Sequence, residues 1–148
     1  MRAVVQCVSE ARVTVDSATI GEIGRGYLIL LGVGQGDTEA EAARLWEKIR
    51  KLRVFPDENG KTNLSLAEIA GEVLVVSQFT LYASCKKGNR PSFTAAGSPE
   101  EANRLYEHFA SLVRADLGRV ATGEFGAMMD VSLVNSGPFT LILDTDEL

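Results

Sequence analysis

Two short segments carry residue types that could act on an ester. The first is Ser77-Gln78-Phe79-Thr80-Leu81. In an extended chain Ser77 and Phe79 face one way and Gln78 and Thr80 the other. Sheet propensity alone would account for the threonine. If pairing instead ends near Phe79, the amides of Phe79 and Thr80 are freed to hold the oxyanion of an ester under attack. Each such donor is typically worth roughly 2.7–4 kcal/mol. The second segment is Asn135-Ser136-Gly137-Pro138-Phe139-Thr140, whose composition is that of a hairpin turn. Pro138 has no amide to donate, however, and its bond to Gly137 can be cis at about 0.5–1 kcal/mol. A cis bond would turn the neighbouring carbonyls nearly the same way, giving two rigid acceptors for an ammonium group.

What the chain lacks narrows the chemistry further. It has one histidine, His108, inside an amphipathic helical pattern. A Ser-His-Asp triad needs a histidine as base, and zinc sites usually need several His or Cys ligands. Cys7 and Cys85 stand far apart and form no C-x-x-C pair, so they read as reduced thiols. No metal and no cofactor is expected. Catalysis then falls to hydroxyls, backbone amides, carboxylates or the substrate itself.

The surrounding pattern supplies the elements that must position these segments. Val4–Val8 and Ala11–Val15 alternate as strands, with Ser9-Glu10 between them, and Ile20–Ile23 suggests a third. Tyr27–Val33 reads as a buried strand between glycines. Asp37 and Thr38 offer an N-cap for a helix to about Leu52, with Ala42, Leu45, Trp46 and Ile49 on one face. Phe55–Gly60 is a turn. Glu72–Leu81 resembles a buried strand, and Ala83–Gly97 is a polar loop. Ser98-Pro99-Glu100-Glu101 opens a second helix that ends at Gly118, with Ala102, Leu105, Phe109, Leu112 and Val113 as its buried stripe. Met129–Val134 and Phe139–Leu143 are strands around the Gly-Pro segment. The order predicts a single α/β domain over residues 1–148, a mixed sheet with two helices packed against it.

Bulk properties agree with a soluble, cytoplasmic protein. The chain has 148 residues, 45% hydrophobic and 24% charged, as a single globular domain should. Its start alternates instead of forming a signal peptide, and its longest apolar run, Tyr27–Leu31, is far too short to cross a membrane. A net charge of −5 argues weakly against a nucleic-acid partner. Its distribution qualifies that, because Lys86, Lys87 and Arg90 fall within five residues that contain no acid.

Taken together, VSQFTL and NSGPFT resemble the D-aminoacyl-tRNA deacylase (D-tyrosyl-tRNA deacylase) family. The likeness extends to the start Met1-Arg2-Ala3-Val4-Val5-Gln6, the strand YLILLGV, the stretch Gly88–Phe93, and T-G-x-F at Thr122–Phe125. It implies a barrel-like sheet and a homodimer with each site at the subunit interface. It also implies tRNA as the partner, with no membrane and no DNA. Thr80 would be the catalytic threonine, with Ser77, Gln78 and Phe79 beside it and the Phe79 and Thr80 amides near the scissile carbonyl. Attack could come from Thr80 or be assisted by the terminal ribose hydroxyl of the tRNA. Gly137 and Pro138, joined by a cis bond, would enter the partner's pocket, face the substrate amino group and exclude an L side chain. Phe125 would sit near the terminal adenosine. Glycine has no side chain to exclude, so glycyl-tRNA mischarged on alanine tRNA would also be cleaved. One departure is Cys7, where many members of the family carry an arginine that helps hold the Gly-Pro loop; Arg12 could compensate, but in a simple extended chain its parity differs from that of position 7.

Two rival readings predict different behaviour. A non-catalytic nucleic-acid-binding domain using Lys86, Lys87 and Arg90 would bind RNA without turnover. A small-molecule esterase would act on free D-amino acid esters without tRNA.

Overall fold

The alternation that opens the chain folds into one long strand, β1 (Arg2–Val15), not two. Ser9 and Glu10 do not end it. They mark an irregularity where the chain changes neighbours on one edge: residues 2–8 pair antiparallel with β3 (Gly26–Gly32), and residues 11–15 pair with β2 (Ala18–Ile23). The computed structural model describes residues 1–148. Along its other edge β1 carries β8 (Asp130–Asp144), antiparallel over almost its whole length. The two strands expected around Gly137-Pro138 are therefore one strand. Both halves pair with β1 in the same direction, which a hairpin cannot do, and Ser136–Phe139 bulge out opposite Cys7.

Parallel pairing joins β3 to β6 (Glu72–Ser77), and β6 to the short β7 (Ala121–Thr122), giving the order β2-β1-β3-β6-β7. The sheet curls until its ends meet. A Cβ added to Gly21 of β2 would lie 2.5 Å from the Thr122 carbonyl oxygen of β7, so glycine allows this near-closure of the barrel. A separate hairpin, β4 (Arg53–Pro56) and β5 (Thr62–Ser65), encloses a turn that begins only at Asp57; Phe55 and Pro56, expected in the turn, belong to β4.

The continuous apolar runs of β3 and β6 follow from burial on both faces. Tyr27, Ile29, Leu31, Val73 and Val75 point outward into a core shared with the helices, while Leu28, Leu74 and Val76 fill the barrel with Val8, Ala11 and Val13. Helix α1 (Glu39–Arg50) starts at Thr38, whose side chain and that of Glu41 form a reciprocal capping box. Helix α2 (Pro99–Leu117) starts at Ser98 with Pro99 in its first turn and stops at Gly118, which takes φ 80°. Leu45, Trp46 and Ile49 of α1 and Leu105, Tyr106, Phe109 and Val113 of α2 cover the outer face, with Trp46 edge-on to Phe109 at 6.0 Å. Burying each large side chain contributes about 1.5–3 kcal/mol. Neither helix is long and apolar enough to cross a membrane. Both cysteines are free.

Candidate active site

Strands β3, β6 and β7 are parallel, so the segments that leave their carboxyl ends emerge on one side of the sheet. Ligand sites of open α/β sheets gather at such ends. Here the end collects Gly32–Gly34 after β3, Ser77–Thr80 after β6, and Gly123–Phe125 after β7. The strand expected to reach Leu81 stops at Ser77. Its last ladder bond is from the Gln78 amide to the Leu31 carbonyl at 2.8 Å, after which the chain winds into a 3-10 turn over Phe79–Tyr82. The Leu81 amide bonds the Gln78 carbonyl, so within the turn only the amides of Phe79 and Thr80 lack an acceptor. Ser77 and Gln78 are half-buried; Phe79 and Thr80 are exposed. The Gln78 carboxamide donates to the Thr80 hydroxyl at 2.5 Å.

Residues not expected from the sequence hold this turn in place. Arg2 bridges to Asp144 at 2.6 Å, donates to the Leu81 carbonyl at 3.2 Å, and lies 4.5 Å over the Tyr82 ring. The bond it donates to Asp144 holds the Arg2 guanidinium above its ordinary pKa. Burial opposes ionisation of Asp144, but bonds from Arg2 and the Asp146 amide win and keep its carboxyl below the usual range. Tyr82 packs directly on Gly34, where a Cβ would come within 2.6 Å of the ring, and burial raises its phenol. The one sequence signal for this frame was the pair Gly32 and Gly34, which reads as a strand boundary but is also the seat of Leu81 and Tyr82.

Phe125 sits on the same side, half-buried and tilted against Tyr106 at 6.2 Å. The Tyr106 hydroxyl faces the Val75 carbonyl at 3.0 Å and the Gly123 carbonyl at 3.4 Å, tying the segment before Phe125 to β6, and burial pushes it up to about 12. His108 is half-buried on α2, as its helical pattern implied, and is not part of this cluster.

Gly137 and Pro138 lie elsewhere. Their bond is cis, and they sit in the bulge of β8 opposite Cys7. Arg2 is level with the end of β3, and Cys7 lies five extended residue steps further along β1, about 17 Å away. Within one chain the two motifs therefore do not share a cleft. Residues 132–138 are all exposed, and Ser136–Phe139 line a hollow with Cys7, Arg25 and the β4–β5 hairpin. Asn135 straps the bulge, donating to the Cys7 carbonyl at 2.9 Å and the Phe139 carbonyl at 3.3 Å. Burial pushes the Cys7 thiol up to about 11. Arg12 does not compensate for Cys7: it lines a different, polar cleft with Glu10, Glu22 and the Arg119–Glu72 ion pair. The cation beside the bulge is Arg25, 5.5 Å over Phe55.

The chain as a whole has counterparts among known proteins. Residues 4–144 match the family model described as D-Tyr-tRNA(Tyr) deacylase. The chain belongs to that family. It is 57% identical over 145 residues to a D-aminoacyl-tRNA deacylase of Geobacter sulfurreducens, covering 98% of this chain and 95% of that one. It is 54% identical over 148 residues to the D-aminoacyl-tRNA deacylase of Thermotoga petrophila, covering 100% and 99%. Among solved structures, one named c-Myc DNA unwinding element binding protein superposes with a TM-score of 0.91 at 42% identity, covering 97% of this chain and 98% of that one. A probable eukaryotic D-amino acid tRNA deacylase superposes with a TM-score of 0.83 at 18% identity, covering 96% and 97%, and so shares the fold. Family membership makes the chain a hydrolase, a deacylase acting on an aminoacyl ester, and the barrel with two helices is the family's architecture.

Proposed function

We propose that the chain hydrolyses D-aminoacyl-tRNA in the cytoplasm as a homodimer whose two sites each draw on both subunits. The separation of Thr80 from Gly137-Pro138 along β1 carries this reading. Only a second copy can bring the bulge of one chain to the turn of another. The outer edge of β8 supports it: Val131–Leu143 contain no charged residue, and Val134 and Ile142 are 51% and 80% exposed. An unpaired edge of this kind invites a partner.

In the assembled site the Phe79 and Thr80 amides hold the oxyanion of the scissile carbonyl. Gln78 donates to the Thr80 oxygen, and no carboxylate or imidazole accepts the threonine proton. A nucleophilic hydroxyl needs such a base. Thr80 therefore orients the ester, and water attacks with help from the terminal ribose hydroxyl of the tRNA. Ser77 and Gln78 line the turn, and Phe125 packs near the terminal adenosine. The partner's Gly-cis-Pro backbone faces the substrate amino group and leaves no room for an L side chain. Selection by exclusion admits many D-amino acids, and also glycine mischarged on alanine tRNA.

Two measurements test this. The protein should release amino acid from D-tyrosyl-tRNA and spare L-tyrosyl-tRNA; equal rates would remove the chirality claim. Equimolar mixing of two inactive variants, Phe79→Pro and one with Ser136–Phe139 shortened, tests the shared site. Half of the dimers would be mixed, each with one intact site, restoring about a quarter of wild-type activity. No restoration would mean that each chain builds its site alone.

A further inference from the structure

The chain is acidic, with 20 Asp and Glu against 15 Lys and Arg, yet Val73–Pro99 contain no acid at all. This stretch holds the Ser77–Thr80 turn and the loop that follows it. Within the loop, Ser84 and Ser92 exchange backbone bonds of 2.7 and 2.9 Å and close a small hairpin. Its exposed tip carries Lys86, Lys87 and Arg90. None of the three enters an ion pair; Arg12, Arg25, Lys48, Arg53, Lys61 and Arg114 are also unpaired, but they are scattered along the chain, while these three fall within five residues of an acid-free stretch. Three unpaired cations are thus held together in an otherwise negative molecule.

The hairpin is also fixed relative to the chemistry. Phe93, just past its closing bridge, packs edge-on to Phe79 with centroids 5.0 Å apart, and the rings stay 38% and 51% exposed. Below it, the loop is stitched to the end of β3 by bonds from Gln35 to Thr94 and Ala95 and from Gly97 to Val33. The tip extends about 10 Å beyond the bridge, and only three residues separate Thr80 from Ser84. Cations at that reach from a reacting ester meet the backbone of the strand carrying it.

We propose that this hairpin is the docking surface for the single-stranded 3′ end of the RNA, with Lys86, Lys87 and Arg90 each neutralising a backbone phosphate. The inference rests on the deacylase reading for its substrate, but its readout is separable from turnover. Three contacts to a single strand give a log–log salt slope of about −2, so raising salt from about 50 to about 200 mM weakens binding about 20-fold.

The test uses a triple variant, Lys86→Gln, Lys87→Gln and Arg90→Gln, whose three sites are fully at the surface. Uncharged tRNA binding is measured by fluorescence anisotropy across that salt range, beside hydrolysis of D-tyrosyl-tRNA and of the D-tyrosyl ester of adenosine, which has no phosphate. The variant should lose at least tenfold in tRNA affinity at low salt, lose most of the salt slope, and show a raised KM for the tRNA substrate. Its turnover of the adenosine ester should equal that of the wild type. Unchanged tRNA affinity and slope would overturn the proposal, as would equal damage to the adenosine ester, which would place the cations in the support of the turn. A wild type that binds tRNA in this way but hydrolyses neither ester would uphold the surface while ending the deacylase reading.

Discussion

Replacing Gly34 by alanine tests whether the Thr80 turn is seated by the ring beneath it. The added Cβ would lie 2.6 Å from Tyr82 Cζ and 2.7 Å from both its Cε1 and its hydroxyl oxygen. Carbon atoms rest about 3.5–4.0 Å apart, so the ring must retreat by about 1 Å. It cannot retreat freely, because Arg2 lies over it and Asp37 stands 3.5 Å from its hydroxyl. Overpacking of this kind costs about 1–3 kcal/mol, which lowers Tm by about 2–12 °C in a chain of this length. Tyr82 is the last residue of the turn that begins with Phe79, so displacement passes to the two free amides. A misplacement of about 1 Å at reacting groups can cost about 100-fold in rate. With part of the movement absorbed by the turn, kcat/KM on D-aminoacyl-tRNA should fall about 10- to 100-fold. Adding Tyr82→Leu to Gly34→Ala should make the glycine change nearly silent, a coupling of about 1–3 kcal/mol in the double-mutant cycle. If Gly34→Ala lowers Tm yet keeps kcat/KM within about twofold of wild type, the ring does not position the turn.

Three further outcomes are expected. At about pH 8, iodoacetamide should label Cys85 in the native protein and spare Cys7, which is buried with its thiol raised to about 11; two labels per chain would contradict the burial. Asp144 is held below its ordinary range, so its bond with Arg2 stabilises the fold above about pH 4 and is lost as pH falls through the lower folded value; urea midpoints of Asp144→Asn should be lower at neutral pH by no more than about 1 kcal/mol in equivalent stability and converge with wild type in acid, and a constant gap would refute the linkage. His108→Ala should keep turnover within about threefold, and exhaustive chelation should leave wild-type activity unchanged, whereas a hundredfold loss in either would expose a base or metal outside the turn.

The helices were legible because their caps and stripes are local: Thr38 with Glu41, Ser98 with Pro99, and Gly118 all act within a few residues of themselves. The errors came where partners are distant. Ser9-Glu10 looked like a break because polar residues usually end a strand, but there β1 keeps β8 on one edge and exchanges β3 for β2 on the other. Asn135–Pro138 had turn chemistry, yet a partner strand more than a hundred residues away made it a bulge. The end of β6 at Ser77 is invisible in VSQFTL, where Val, Phe and Thr favour strands and no glycine or proline interrupts them. The candidate site was legible as a set of residue types, through its likeness to a family. That Gly137-Pro138 would serve a partner's pocket came from the same likeness; the distance between the two motifs along β1 was not legible, since spacing along the chain says nothing about the level at which each strand is paired. The Arg2–Tyr82–Asp144 frame joins residues from both termini and the middle, and no local pattern announces it.

The bare outer margin of β8 also bears on how the protein behaves before it is ever active. Thirteen consecutive uncharged positions, Val131–Leu143, form a ribbon without a lysine or glutamate to repel a stray strand. A newly made copy at low abundance presents that ribbon to everything around it, and Pro138 is its single interruption. If copies pair through this edge as proposed, its cover is also what keeps the molecule in solution, and a lysine placed at Ile142 should keep solitary copies soluble while denying them company.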